Sequence, residues 1–293
     1  MLDPHEEMDK KIMDINVVTT FHKEGLEVYG QRFLDSFAER VDNKIKLLVY
    51  TESCNPTNPN PDQIKIFDSF EALPKLNGFK SRWNNVPKAN GIPPDDIKAR
   101  RPRDWHKAFK WDAVRFANKV YAVFDACERS TDWCVWMDAD TFVHSAWSYD
   151  NFKELLPNDK WLTYVGRGKG SQTWPECGFY GLNLKHDMCK MFLKEFERMY
   201  EEADNGIFEL EEWHDSFVFG HILNHFAKID NNVHDYSKDI YVNTAKTGGG
   251  GHPLINGPLG KFIDHMKGGR KKDGKSLKKD LMTNRTEAYW NEI

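Results

Sequence analysis

The segment that most constrains the fold is an apolar run that ends in two carboxylates. Residues 132–143 read Asp-Trp-Cys-Val-Trp-Met-Asp-Ala-Asp-Thr-Phe-Val, so Asp138 and Asp140 follow a stretch apolar enough to be a buried strand. The carboxyl ends of strands are where ligand sites of open α/β sheets usually lie. Residues i and i+2 of an extended segment face the same way, so both acids can address one hard divalent cation. The pattern predicts a site for a metal ion and a diphosphate.

The carboxylate pair also has a purely structural explanation. Asp138 could cap a turn and Asp140 could begin a helix, each accepting hydrogen bonds from backbone N–H groups. The residues on either side are apolar, however, and unpaired acids between buried flanks are costly unless a cation or another partner compensates them. We therefore favour the metal site over the capping role.

Composition narrows the class of protein. The chain has 293 residues, of which 40% are hydrophobic and 13% aromatic, enough for one large core. No apolar run approaches the roughly 20 residues of a membrane span, and the charged N-terminus lacks the apolar core of a signal peptide, so we expect a cytoplasmic protein. Five cysteines without close pairs predict reduced thiols. A net charge of −4 gives no support for a nucleic-acid partner.

Hydrophobic periodicity predicts an α/β fold. Residues 15–20 and 44–50 read as strands around a helix at 26–40, and this β-α-β opening favours a mostly parallel sheet flanked by helices. Prolines and charges make 53–104 a long connection with short helical pieces. Further helices are predicted at 105–125, 187–203 and 212–226, and further strands at 161–166, 176–183 and 240–243. We expect a single domain over 1–293, with 272–293 as a peripheral, solvated basic tail.

A second motif lies late in the chain. Residues 265–271 read His-Met-Lys-Gly-Gly-Arg-Lys, which places His265, Gly268 and Lys271 at intervals of three. The histidine can supply a nitrogen ligand to a cation such as Mn²⁺, the glycine permits close approach of backbone, and the lysine offers a charge for phosphate oxygens. Taken alone, each of these residues is more common on a solvated surface than in a site.

Together the two motifs resemble those of the glycogenin-like, galactosyltransferase-type glycosyltransferases of the GT-A fold. The markers of that family are a strand ending in D-x-D and a late H-x-x-G-x-x-K. The family usually continues with Pro-Trp after the lysine, whereas this chain has Lys272 and Asp273. The resemblance implies a GT-A, Rossmann-like fold and a metal-dependent hexosyltransferase. It also implies Mn²⁺ or Mg²⁺ as cofactor, a nucleotide sugar such as a UDP-sugar as donor, and retention of anomeric configuration.

The resemblance assigns roles to the motif residues. It implies that Asp140 and His265 ligate the metal ion and that Asp138 bridges the metal to the nucleotide ribose. It further implies that Lys271 and the backbone of Gly268 hold the diphosphate. The acids and the histidine are separated by more than a hundred residues, so the assignment requires the fold to bring them to one point.

Four other residues receive roles by the same resemblance, and Glu176 receives one from its neighbours in the sequence. Lys110 resembles the lysine that touches the donor from the helix before D-x-D, and Thr19 and Thr20 resemble a nucleoside-facing turn, although hydroxyls are common at strand ends. Asp215 resembles an acid that contacts the donor sugar, or else it is a carboxylate favoured by a helix dipole. Glu176, beside aromatic residues, suits the hydroxyls of an acceptor sugar, although such aromatics are often core.

Two other functions stay open at the level of sequence. A sugar-phosphate nucleotidyltransferase would also place acids on a metal and a diphosphate, but that class generally has a glycine-rich loop after the first strand, where this chain has Phe-His-Lys-Glu-Gly at 21–25. The other is a non-catalytic carbohydrate-binding protein of the same fold. The sequence does not specify the acceptor, whether glycan, protein or lipid, or the oligomeric state.

Overall fold

The computed structural model describes residues 12–104, 107–167, 174–237 and 252–293. In this part of the chain a seven-stranded sheet has the order β3-β2-β1-β4-β7-β6-β8, and two short strands, β5 and β9, pair with each other. The strands are β1 (Ile15–His22), β2 (Ile45–Glu52), β3 (Ile64–Asp68), β4 (Trp133–Met137), β5 (Thr141–Val143), β6 (Leu162–Val165), β7 (Glu176–Asn183), β8 (Val233–Asp235) and β9 (Ile263–His265).

The large sheet is mostly parallel. Strands β3, β2, β1 and β4 pair in parallel, and so do β6 and β8, whereas β7 runs antiparallel to β4 and β6. The prediction of an α/β fold with a mostly parallel central sheet flanked by helices is confirmed. The carboxyl ends of β1, β2 and β4 share one edge of the sheet, and Asp138 follows β4 at that edge.

Helices cover both faces of the sheet. They are α1 (Lys23–Gly25), α2 (Gln31–Arg40), α3 (Ser69–Ala72), α4 (Pro74–Trp83), α5 (Asp95–Arg100), α6 (Ala113–Glu128), α7 (Tyr149–Glu154), α8 (Asp187–Glu201), α9 (Asp215–Phe226), α10 (Pro253–Asn256) and α11 (Arg270–Asp273). A π-helical turn (Leu26–Gly30) joins α1 to α2, and a 3₁₀ turn (Ala108–Trp111) precedes α6. None of the helices described here has both the length and the apolar character needed to cross a bilayer.

The alternation of side chains along the central strands divides the core into two layers. Val17 packs with the layer that contains α2, and Val18 packs with the layer that contains α6, α8 and α9. In β4, Trp133, Val135 and Met137 face the first layer, whereas the intervening residues face the second. Strands buried on both faces are expected to be continuously apolar, which explains the run that precedes Asp138.

The structure changes several predicted elements. Residues 64–68 form the edge strand β3 inside the segment that was predicted to be a connection with short helices. Strand β1 continues to His22, two residues beyond the prediction, and β8 was not predicted. The helix predicted from residue 105 is divided at Asp112, whose side chain caps α6 by accepting from the backbone N–H of Arg115. The predicted strand at 240–243 lies outside the described residues.

The C-terminal segment packs against the body of the protein rather than forming a solvated tail. Tyr289 donates to Asp264 from its hydroxyl, at 2.7 Å, and Ser276 donates to the same carboxylate. The indole of Trp290 donates to the carbonyl of Gly260 at 2.7 Å. These residues are buried or half-buried, whereas most lysines of the segment point to solvent. The composition-based prediction missed this docking because the anchoring side chains are few and lie between the lysines.

Candidate functional site

A cleft of about 730 Å³ opens at the carboxyl edge of the sheet. The ends of β1 and β2, the turn after β4 and the start of β7 form its floor, and the segment after β9 closes one side. Two other cavities are smaller, at about 410 and 310 Å³. Charged side chains of both signs line the cleft: Glu52, Arg115, Lys119, Asp138, Asp140, Arg167, Glu176, Asp215, Lys267 and Lys271.

Asp138, Asp140 and His265 meet inside this cleft. The Nε2 atom of His265 lies 3.1 Å from Oδ1 of Asp140 and 3.5 Å from Oδ2 of Asp138. One possible ligand atom from each residue lies within 4.8 Å of the others. The contact joins positions 125 residues apart in the sequence.

The pairing of β5 with β9 produces this contact. The two strands are antiparallel, with Thr141 opposite His265, so Asp140 and His265 lie side by side at the end of the ladder. The backbone N–H of Met266 donates to the carbonyl of Asp140 at 2.9 Å and extends the pairing by one step. On the other side, the N–H of Asp138 donates to the carbonyl of Gly178 in β7 at 2.9 Å. Backbone hydrogen bonds therefore hold both aspartates.

The donor set suits a divalent cation. Two carboxylates and one imidazole nitrogen are ligands that Mn²⁺ accepts readily, and the carboxylates also suit Mg²⁺. His265 and Asp140 are both buried, so the cluster is not a chance group of acids on the surface. Their role as metal ligands stays a prediction, and the required proximity of Asp140 and His265 is present.

Positive groups surround the two aspartates. Lys271 Nζ lies 2.6 Å from Oδ2 of Asp140, and Lys119 Nζ lies 3.3 Å from Oδ1 of Asp138. Burial alone raises the pKa of both aspartates, but His265 and the lysines outweigh it and hold the pKa of each carboxyl below its ordinary value. Burial lowers the pKa of His265, and the two carboxylates more than offset this and raise it to about 9. The acids are thus ionised in the folded protein.

Two glycines have different functions beside this cluster. A Cβ atom on Gly178 would lie 2.6 Å from Cδ1 of Leu254 and 3.0 Å from Cε1 of His265, so a larger residue there requires these side chains to shift. Gly268 has open space around it and needs glycine because its φ of +56° lies in the left-handed region. The motif glycine shapes the loop that leads to Lys271, and Gly178 provides the room for His265.

A second lysine that reaches the carboxylates, Lys119 on α6, was not predicted. Its Nζ lies 2.7 Å from Oδ2 of Asp215 as well as 3.3 Å from Asp138, and 4.6 Å from the centre of the Trp136 ring. Burial lowers the pKa of Lys119, but the two aspartates dominate and raise it above the ordinary value. One sequence signal was present, since Lys119 lies within the apolar stripe of α6, four residues before Val123.

Lys110 is not brought to this cluster. It is buried in the 3₁₀ turn before α6, and its ammonium group lies 3.1 Å from both Asp104 and Glu212. These two carboxylates compensate its charge away from Asp138 and Asp140. Its contact with a donor stays a prediction, and in this structure Lys110 does not line the cleft, whereas Lys119 does.

The remaining predicted residues divide between the cleft and the core. Thr20 lines the cleft and donates to the carbonyl of Tyr50 at 2.6 Å, whereas Thr19 is fully buried in the sheet. Asp215 begins α9 and reaches the cleft beside Lys119. Glu176 begins β7 and pairs with Arg167 at 3.0 Å and with Lys267. Of the two threonines, only Thr20 is positioned to contact a molecule in the cleft.

Comparisons with known proteins give distant structural likenesses. No family model matches the chain, and no curated protein sequence matches it. The chain is similar to mouse xyloside xylosyltransferase 1 in its apo form, with 12% identity and a TM-score of 0.44 over 76% of this chain and 85% of that one. It is also similar to the glycosyltransferase GlyE of Streptococcus pneumoniae TIGR4, with 12% identity and a TM-score of 0.45 over 96% of this chain and 60% of that one. Both neighbours are glycosyltransferases by name, but overlap at this level carries no argument about this chain.

Proposed function

We propose that this protein is a metal-dependent glycosyltransferase that moves a sugar from a nucleotide sugar, with a UDP-sugar as the expected donor, to an acceptor hydroxyl. The observation that carries the proposal is the convergence of Asp138, Asp140 and His265, with Lys271 against Asp140. Carboxylates, imidazole and an ammonium group at one end of a cleft suit a cation and a diphosphate together. A purely structural ion-pair cluster has no need of a cleft beside it.

Asp138, Asp140 and His265 are the residues that would hold Mn²⁺ or Mg²⁺. A divalent cation bound there supplies positive charge to the leaving diphosphate and so lowers the barrier to transfer. Lys271 supplies a second positive charge from the protein, and the left-handed turn at Gly268 exposes backbone beside it. Both groups line the cleft in the folded protein, so positive charge and backbone lie near the place where the diphosphate would leave.

The transfer itself exchanges one C–O bond for another. The bond between the anomeric carbon and the diphosphate oxygen breaks, and the acceptor oxygen forms a bond to the same carbon. We expect attack on the face from which the diphosphate leaves, with the acceptor proton passing to a diphosphate oxygen, which retains the anomeric configuration. This route requires no protein nucleophile at the anomeric carbon.

Lys119 and Asp215 are expected to orient the donor sugar. Their charged groups lie 2.7 Å apart, and Lys119 also contacts Asp138. An ammonium group donates to sugar hydroxyls, whereas a carboxylate accepts from them. In this proposal Lys119 takes the role that the sequence assigned to Lys110, and Asp215 keeps the role assigned to it.

A donor screen tests the proposal. The protein is incubated with a panel of nucleotide sugars in the presence of Mn²⁺ or EDTA, and the released nucleoside diphosphate is measured. We expect slow release that needs Mn²⁺ and falls at least about a hundredfold in Asp140→Ala, since the variant loses charge stabilisation worth several kcal/mol. Asp159→Ala, at a side chain that is 69% exposed, is the matched control and should behave like the wild type.

Three results would overturn the proposal. Consumption of a nucleoside triphosphate with a sugar phosphate would identify a nucleotidyltransferase. Nucleotide-sugar binding that is indifferent to metal and gives no turnover would identify a binding protein of the same fold. A chain that shows neither metal-linked binding nor diphosphate release with any donor would fit none of these enzymes.

A further inference from the structure

The cleft has two chemically different ends. The carboxylate end consists of Asp138, Asp140 and His265. The aromatic end consists of Phe109, Phe116, Trp174 and His214, and all four line the same cleft. Phe109 is 42% exposed, so this large apolar side chain gains little stabilisation from burial. A group of aromatic side chains at a cleft edge is a binding feature more often than an accident.

The rings of the aromatic end are grouped around His214. Ring centres lie 4.4 Å from His214 for Trp174, 5.7 Å for Phe109 and 5.8 Å for Phe116. His214 itself is buried, so the three other rings form the accessible surface. The three accessible rings come from separate segments: the 3₁₀ turn before α6, α6 itself and the residues just before β7. The fold therefore assembles this surface, and it is not a single exposed helix face.

A buried charge network fixes the aromatic end from behind. Glu212 is fully buried, and its carboxylate lies 3.0 Å from Nε2 of His214 and 3.1 Å from Nζ of Lys110, and it also pairs with Arg101. Lys110 Nζ lies 5.1 Å from the centre of the Trp174 ring. Partnered charges of this kind hold side chains in one arrangement. The network explains why Lys110 is buried, and it makes the aromatic end rigid.

Carboxylates flank the aromatic end on the side of the site. Asp215 follows His214 directly, and Glu176 follows Trp174 by two residues; both line the cleft. Lys119 connects the ends, since its ammonium group lies 2.7 Å from Asp215 and 3.3 Å from Asp138. A molecule that rests on the rings therefore lies next to Asp215 and Lys119, the two residues proposed to orient the donor sugar.

We propose that the aromatic end binds the acceptor and that the acceptor is a saccharide. A pyranose ring has one face of C–H bonds, which packs on an aromatic ring, and a rim of hydroxyls, which donate to carboxylates. The aromatic end offers both within one cleft. A lipid chain has no hydroxyl donors for the Glu176 carboxylate, and a peptide does not combine a flat face of C–H bonds with a rim of hydroxyl donors. This inference rests on the proposed function, because the saccharide is an acceptor only if the protein is a glycosyltransferase.

Saccharide binding can be tested without turnover. Methyl glycosides and disaccharides of common hexoses and xylose are screened by saturation-transfer difference NMR, with the open-chain polyol sorbitol as the negative probe. We expect at least one saccharide to bind, with the strongest transfer to protons on one ring face, and no signal for sorbitol. Phe109→Ala should weaken that binding about 3- to 10-fold, as expected for the loss of one aromatic contact.

Two variants separate the site from general surface effects. Phe70→Ala is the matched control, because Phe70 is 76% exposed and lies outside the cleft, and it should bind saccharide like the wild type. Trp174→Ala is the second test variant, and it should weaken binding at least as much as Phe109→Ala. Binding that is equal in wild type, Phe109→Ala and Trp174→Ala overturns the proposal, and so does a panel in which no saccharide binds.

The proposal and the proposed function fail in different experiments. Metal-dependent diphosphate release that no saccharide accelerates, but that a peptide or a detergent-solubilised lipid does, overturns the saccharide acceptor and leaves the transferase. Saccharide binding that depends on Phe109, in a protein that cleaves no nucleotide sugar, supports the saccharide site and overturns the transferase. Saccharide-accelerated release that is slowed in Phe109→Ala supports both.

Discussion

The carboxylate end and the aromatic end of the cleft contain the same kinds of charged residue in opposite arrangements. At the carboxylate end, Lys119 and Lys271 face the cleft, and their acidic partners would be shared with any cation that binds. At the aromatic end, Lys110 and Glu212 lie behind the rings and are compensated within the protein. The difference teaches that burial does not show what a lysine does. A buried lysine that lines the cleft can act on a bound molecule, whereas one behind the cleft wall supports the structure.

The comparison is tested most severely by removing His265. His265→Ala leaves Asp138 and Asp140 without their imidazole partner, so we expect the affinity for Mn²⁺ to fall about a hundredfold. Titration of Mn²⁺ followed by its EPR signal measures the affinity directly. His221→Ala, at an exposed position of α9, is the control. Unchanged Mn²⁺ affinity in His265→Ala would show that the carboxylate end does not bind metal through His265.

The two lysines should respond differently to the same substitution. Lys119→Met removes the positive charge between Asp138 and Asp215, so we expect kcat for diphosphate release to fall about 10- to 100-fold. Lys110→Met leaves Glu212 less compensated, so we expect the free energy of unfolding to fall by about 2 kcal/mol and the acceptor KM to rise. Kinetics and urea denaturation on both variants separate these effects. A larger kcat loss in Lys110→Met than in Lys119→Met would reverse the assignment.

Gly178 tests how tightly the carboxylate end is packed. In Gly178→Ala the new methyl group meets Leu254 and His265, so His265 must shift, and we expect Mn²⁺ affinity to fall about tenfold. Gly78→Ala is the matched control, because its Cβ meets nothing within 4 Å on α4, where alanine should stabilise the helix by about 0.5–1 kcal/mol. Equal Mn²⁺ affinity in Gly178→Ala and the wild type would show that the site adapts freely.

The smallest expected effect concerns pH and the aromatic end. Burial raises the pKa of Glu212, but His214 and Lys110 outweigh it and hold the pKa below its ordinary value of 4.5. The stabilisation from this carboxylate is therefore present above pH 4.5 and is lost as the pH falls through the lower folded value. At pH 7 we expect Glu212→Gln to be about 1 kcal/mol less stable than the wild type. The gap should narrow in denaturation curves measured below pH 4.5; a gap independent of pH would contradict the charged network.

The parts of the fold that follow from local pattern were predictable. The apolar run of β4 and the repeated apolar positions of α8 gave both elements because burial imposes a period on the sequence. Strand β3 was missed because it is a short edge strand among prolines, and an edge strand needs little hydrophobic pattern to pair on one side. The docking of the C-terminal segment was missed because a few anchors such as Ser276 and Trp290 do not change an overall basic composition.

The site was predictable where its residues form a motif and not where they depend on tertiary placement. Asp138, Asp140 and His265 are marked by spacing and by their neighbours in the sequence. Lys119 and Lys110 both precede the D-x-D segment, and the packing of α6 and of the 3₁₀ turn before it decides which lysine faces the aspartates. No local rule in the sequence states which side of a helix will line a cleft.

The pairing of β5 with β9 has a consequence for how the protein is made. Asp140 and His265 are 125 residues apart, so chain entropy opposes the closing of the loop between them. During synthesis both aspartates leave the ribosome long before the histidine does, so the incomplete chain lacks one of the three proposed ligands. A cation that binds only the finished cluster stabilises only the finished fold. Metal affinity would then measure whether β5 and β9 have paired, and it would separate molecules with this pairing from those that have only their central sheet.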